Sequence, residues 1–286
     1  MINELNPIGI GTYKLDMENK EETLEGLLYS VKKGQNYIST SLMYSNYEIV
    51  DFLKHFFDKI NRADIFVMSH LEKYIENKDD VEKQVDEYLK RMNIEYIDAL
   101  QIHTPEVCKI PLLDVYYEMQ KMCEKGKVRY LSTSNTTLEQ LKELNKNFGI
   151  FSFEGVYNLD CKIYENIGLV EYCKNNNIKF ICYQALRRNK IAEANYKFLV
   201  EMAKKYNKTQ NQILINWMLK EKGLFTLIKT TQKEYIDSNL EALDFKLQQE
   251  DVQLLNEFQN EKFNNIEIDW EANKGGVTID KLASQF

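Results

Sequence analysis

The sequence predicts an α/β protein of the (β/α)8 TIM-barrel class, and three observations carry that prediction. Eight short runs rich in β-branched and aromatic residues alternate with longer segments of helical period. The runs are nearly continuously apolar, as strands of a parallel sheet covered on both faces must be. Eight such units also suit the roughly 250 residues of a closed barrel better than an open doubly wound sheet.

In order, the apolar runs place strands at Ile8 to Tyr13, Tyr37 to Thr40, Ile65 to Ser69, Tyr96 to His103, Val128 to Thr133, Phe151 to Tyr157, Ile178 to Tyr183 and Phe225 to Lys229. Helical spacing falls between them at Glu22 to Lys33, Tyr47 to Asp58, Val81 to Met92, Pro111 to Glu124, Leu138 to Asn145, Ile167 to Asn175 and Tyr196 to Tyr206. Thr209 to Lys220 and Lys233 to Leu243 flank the last strand. Thr137 and Gln140 have the spacing of a capping box. The first βα turn reads Gly9-Ile-Gly11-Thr-Tyr-Lys, without a third glycine or an immediate helix, which disfavours a dinucleotide-binding glycine loop of the doubly wound kind. No Pro/Gly/Ser-rich linker interrupts the pattern, so one domain is expected over residues 1–286. Residues 260–286, with Trp270 and Gly275-Gly276, form a C-terminal segment expected near the barrel mouth.

Composition narrows the function. The 44% hydrophobic fraction is that of a globular core, and no apolar run is long enough to span a bilayer. The N-terminus lacks the basic and apolar regions of a signal peptide, so a cytoplasmic protein is expected. Five cysteines, at 108, 123, 161, 173 and 182, show no Cys-x-x-Cys spacing, which indicates reduced thiols and no metal site. A net charge of −7 with both signs interspersed argues against a nucleic-acid-binding face. A small-molecule substrate is the expected partner, with the chain a monomer or weak homo-oligomer.

In a barrel the active site lies at the C-terminal ends of the strands. That criterion selects Ser39, Tyr44, Ser69, His70, His103, Ser134, Asn135, Tyr157, Tyr183 and Lys229. The stretches Gly9-Ile-Gly-Thr-Tyr13, Tyr37-Ile-Ser-Thr-Ser-Leu-Met-Tyr44-Ser-Asn46, Leu100-Gln-Ile-His103-Thr-Pro105 and Val128-Arg-Tyr-Leu-Ser-Thr-Ser134-Asn135 resemble successive motifs of the aldo-keto reductase family. The likeness continues through Phe180-Ile-Cys-Tyr183-Gln-Ala-Leu186 and Ile228-Lys229-Thr230 to Asn239, and so covers nearly the whole chain. The resemblance implies a nicotinamide-dependent oxidoreductase acting on a small carbonyl or alcohol. Tyr44 falls on the general acid and His103 on the histidine that positions the carbonyl. Ser39 stands where the resemblance implies an aspartate, and His70 where it implies a lysine. A phenol titrates near 10, and a neighbouring cation is what stabilises its anion. Serine brings no charge, whereas histidine titrates near neutrality and suits a proton relay.

The same resemblance implies NAD(P)(H) as cofactor, held by Ser134 and Asn135 at the carboxamide, Tyr183 against the ring, and Lys229, Thr230 and Asn239 at the phosphates and adenine. Gly155 stands where a glutamine is usual, beside the carboxylate of Glu154; Tyr235 and Ser238 replace an arginine and a glutamate. A tyrosine cannot reproduce a bidentate guanidinium–phosphate contact, which weakens the case for NADPH in particular. Two other functions stay open: acid–base chemistry without net redox at Tyr44, His70 and His103, and a non-catalytic binding or regulatory subunit. Without the resemblance, His103 and Tyr183 read as core residues. Tyr157 reads as a core aromatic, His55 as structural, and Arg187-Arg188 as a solvated basic pair.

Overall fold

Residues 4–264 are described by the computed structural model. Strands β1 (Ile8–Gly11), β2 (Tyr37–Ser41), β3 (Phe66–Leu71), β4 (Ile97–Ile102), β5 (Val128–Leu131), β6 (Thr133–Ser134), β7 (Ser152–Val156), β8 (Lys179–Tyr183) and β9 (Phe225–Ile228) form one sheet. Every pairing is parallel, in the order β5-β4-β3-β2-β1-β9-β8-β7-β6. The two ends of that order are separated by Ser132 alone, so the ring closes through the chain and the expected fifth strand is divided in two. The break is a change of partner: β5 pairs with β4, β6 with β7. Ser132 bridges them, donating its N–H to Leu100 O at 2.9 Å and sharing a 2.8 Å hydroxyl hydrogen bond with Ser152.

Helices cover the outside, including Lys20–Lys32, Glu48–Phe57, Asp79–Met92, Leu112–Glu124, Leu138–Phe148, Lys197–Tyr206, Lys233–Leu240 and Gln249–Glu257. The capping box at Thr137 and Gln140 is formed in both directions, and a second starts the helix Gln210–Asn216 at Thr209. The helix expected from Ile167 to Asn175 spans Leu169–Asn175, and a separate turn of helix, Ile163–Asn166, precedes it across Gly168 at φ 77°. The run expected to Lys220 widens into a π turn at Trp217–Glu221, where the Trp217 ring is buried against Tyr157 with centroids 5.8 Å apart. No helix among the described residues is long and apolar enough to cross a membrane. Of the C-terminal segment expected at the mouth, residues 265–286, Trp270 included, lie outside the described residues.

Two cores result. The larger lies between sheet and helices and buries Leu27, Phe56, Tyr116 and Trp217. The smaller fills the barrel, where Tyr37, Phe66, Met68, Ala99 and Ile181 make an apolar floor. Gly9 is required there, since a Cβ at that position would fall 2.1 Å from the Tyr37 ring. Side chains alternate along a strand. Two residues beyond the floor positions Tyr37, Met68 and Ala99, the inward-facing residues are therefore Ser39, His70 and Gln101, with Glu154 beside them from β7.

Candidate active site

Tyr44 is carried by the loop after β2, whose chain reverses through left-handed residues at Ser45, Asn46 and Tyr47. The loop is tied to the barrel by the buried phenol of Tyr88, which accepts Leu42 N–H at 2.8 Å and donates to His70 O at 2.5 Å. Tyr44 is half-buried, packs edge-on to Tyr13 at 5.1 Å and to His70 at 6.4 Å, and its hydroxyl makes no hydrogen bond among the described residues. The His70 and His103 rings meet edge to face at 5.6 Å. His103 is fixed through its backbone, donating to Leu71 O at 2.9 Å and accepting from Asn135 Nδ2 at 3.0 Å. The structure thus brings together Ser39, Tyr44, His70 and His103, the four residues expected at the catalytic positions.

Three residues of this cluster went unassigned in the sequence. Glu154 faces inward, and its Oε2 accepts from Gln101 Nε2 at 2.8 Å and Ser39 Oγ at 3.3 Å and lies 3.4 Å from His70 Nε2. Glu72 accepts from Ser41 Oγ and stands 3.8 Å from His103 Nε2. Burial alone would raise the Glu154 carboxyl, but the His70 ring beside it and the hydrogen bond from Gln101 outweigh burial and hold the group below the ordinary glutamate value. Tyr44 moves the other way: burial, then the nearby Glu154 and Glu72 carboxylates, push its phenol well above the usual range. The signal for Gln101 and Glu154 was in the sequence, as polar residues at inward-facing parity within apolar strands, whereas Glu72 lies just past the end of β3.

A cavity of about 1480 Å³ opens above the cluster and joins Tyr44 and His103 to Tyr183, Lys229, Thr230 and Asn239. Tyr235 and Ser238 line the same cavity, so no guanidinium enters from their positions. Two buried acceptors without hydrogen-bond partners, Gln210 Oε1 and Asn211 Oδ1, face this space from residues that line it. Ser134 and Asn135 are buried to the side. Asn135 Oδ1 accepts from Tyr183 OH at 2.8 Å and Tyr164 OH at 3.2 Å, so this amide braces the aromatic wall.

Two other expectations change. Gly155 does not mark a side chain lost from the mouth: a Cβ there would lie 2.6 Å from the Phe153 ring and 2.7 Å from the Tyr164 ring, in the layer between sheet and helices. Arg187 is not solvated, because it is buried in an ion pair with Asp160, while Arg188 is exposed at the cavity. His55 is exposed on its helix, and Tyr157 is a core residue that donates to Glu165 Oε2 at 2.7 Å.

The sequence profile described as the Aldo/keto reductase family matches residues 7–260. The chain is 26% identical over 286 residues to rat (Rattus norvegicus) aldo-keto reductase family 1 member C18, covering 87% of this chain and 86% of the rat protein. It is also 26% identical to Bacillus subtilis (strain 168) glyoxal reductase over 250 residues, with 87% of each chain covered. Among solved structures, a thermostable aldo-keto reductase in complex with the inhibitor epalrestat superimposes with a TM-score of 0.82 at 26% identity, over 90% of this chain and 97% of that one. An aldo-keto reductase from Klebsiella pneumoniae in complex with NADPH shares the fold with a TM-score of 0.81 at 20% identity, over 88% and 90% of the two chains.

Proposed function

The chain belongs to the aldo/keto reductase family, and from that membership we propose that it is a nicotinamide-dependent oxidoreductase acting on a small carbonyl compound or the corresponding alcohol. The observation that carries the reading is that one cavity joins the unpaired hydroxyl of Tyr44 and the His103 ring to Tyr183, Lys229, Thr230 and Asn239. NAD(P)(H) fits this wall. Lys229 brings an exposed ammonium for phosphate, Tyr183 an aromatic face, and Gln210 and Asn211 unpaired acceptors for an amine or hydroxyl donor. When bound, the dinucleotide supplies the hydride equivalent.

The chain's own residues manage the proton and the alignment. His103 orients the carbonyl oxygen toward Tyr44, and Tyr44 donates its phenolic proton to that oxygen. Burial and two carboxylates keep Tyr44 protonated in the resting site. Asn135 holds the Tyr183 ring and the His103 backbone in one frame. The five free cysteines agree with a cytoplasmic protein, acting as a monomer or weak homo-oligomer.

The test follows nicotinamide fluorescence on adding NADPH or NADH, then turnover of aldehydes and ketones by the wild type and Tyr44→Phe. The variant should lose about 10²- to 10⁴-fold in turnover while still binding nucleotide. Failure of both nucleotides to bind at millimolar concentration sinks the reading. One observation favours a second function, proton transfer without net redox: both site imidazoles face carboxylates, His70 with Glu154 and His103 with Glu72. That reading requires turnover with no nucleotide present.

A further inference from the structure

One layer beneath the mouth, side chains from four strands converge on a single carboxylate oxygen. Glu154 Oε2 (β7) meets Ser39 Oγ (β2) at 3.3 Å, Gln101 Nε2 (β4) at 2.8 Å and His70 Nε2 (β3) at 3.4 Å. All four residues are at most 5% exposed. A carboxylate this deeply buried at the base of the cavity is tolerated only when paired, and paired well. Ser39 and Gln101 are neutral donors, so His70 is the group in contact with Glu154 that can carry positive charge. Neither ring nitrogen of His70 has a hydrogen-bond partner of good geometry, although both are buried. An unpaired buried imidazole calls for an explanation, and proximity to an anion supplies one.

The other titratable groups facing His70 are Tyr44, ring to ring at 6.4 Å, and His103 at 5.6 Å, whose own positive form is offset by Glu72 at 3.8 Å. Tyr88, from the helix Asp79–Met92, spends its hydroxyl on the His70 carbonyl and the Leu42 amide.

We propose that Glu154 is a positioning residue that holds His70 as an imidazolium beside Tyr44, so that the carboxylate and cation serving the phenol come from β7 and β3. The inference rests on the proposed role of Tyr44 as proton donor. As the Tyr44 O–H bond breaks and its proton passes to the carbonyl oxygen, the phenolate left behind faces the His70 cation. After product leaves, Tyr44 recovers a proton from water. The carboxylate that the resemblance implied at position 39 is thus supplied from across the barrel by Glu154, while the cation implied at position 70 stays there as an imidazolium. The replacement also titrates nearer neutrality than a lysine.

The chain has three histidines, so an imidazole ¹⁵N titration of the whole protein resolves His70, assigned by its absence in His70→Gln. His70 should carry positive charge at pH 6 in the wild type, and Glu154→Gln, which removes the facing anion, should weaken its hold on that charge. The alkaline limb of turnover should move to lower pH in the variant. Ser39→Asp in the Glu154→Gln background should restore both, because position 39 lies within 3.3 Å of the displaced oxygen. A His70 that is neutral at pH 6 in the wild type overturns the inference, and that measurement needs no variant to fold. An unmoved midpoint in a folded Glu154→Gln overturns it equally. Nucleotide binding is followed in the same samples. If it fails while His70 titrates high, the hydride reading is lost and the charge pair stands.

Discussion

Substituting Gly155 separates two accounts of that position. If it were a vacated nucleotide contact, glutamine there would strengthen binding. The packing argues the reverse, since the added Cβ would sit 2.6 Å from Phe153 Cε1 and 2.7 Å from Tyr164 Cε2, against an ordinary contact of 3.4 Å or more. Both rings are fully buried and cannot swing into solvent. Overpacking of this kind costs about 1–3 kcal/mol, partly offset by the 0.4–1 kcal/mol or so that alanine gains over glycine through the unfolded chain. Gly155→Ala should therefore lose about 1–2 kcal/mol. Gly155→Gln adds a buried amide lacking partners and should lose roughly 1–3 kcal/mol more. The push is transmitted, because Tyr164 donates to the same Asn135 oxygen that holds Tyr183. Urea unfolding followed by tryptophan fluorescence reads the stability, and nicotinamide fluorescence reads the site. A Gly155→Gln protein of wild-type stability that binds nucleotide more tightly would refute the packing argument.

Other consequences can be checked in the same assays. Lys162 is 2% exposed and donates to Leu255, Asn256 and Phe258 carbonyls at 2.8 Å each, so Lys162→Met should cost about 3–5 kcal/mol, and a loss below about 1 would contradict its role as a clamp. Asn135 has φ 55°, so Asn135→Ala should be about 1–2 kcal/mol less stable than Asn135→Gly, which loses the same hydrogen bonds without the strain; equal stabilities would contradict this. Hydrogen bonds from Lys125 and Lys127 hold the Glu82 carboxyl at about 2, against an ordinary 4.5. Its folded-state value is depressed, so its contribution is present above pH 4.5 and disappears as pH falls through about 2. Acid titration of Glu82→Gln should lack that component and match the wild type at the acid extreme.

The barrel was legible because buried parallel strands are apolar throughout and their helices are amphipathic, a contrast visible residue by residue. The mouth was legible where chain position alone decides it, as for Tyr44 and His103 at strand ends. The change of partner at Ser132 was not, since it depends on which neighbour each half-strand meets. The pairing of Glu154 with His70 was hidden for the same reason: 84 residues separate them, and only closure of the ring brings them within 3.4 Å. Arg187 and Arg188 are adjacent in sequence and opposite in environment, because Asp160 arrives from a different strand end to claim the first.

The apolar floor built on Tyr37, Phe66 and Met68 has a kinetic consequence for the acid–base groups above it. The layer directly below Glu154 and His70 is apolar, and its Tyr37 hydroxyl is committed to Thr226 O at 2.8 Å, so it offers protons no polar path. Their exchange with bulk water runs through the mouth alone. A ligand seated over Tyr44 therefore stands across the route by which these groups exchange protons with water.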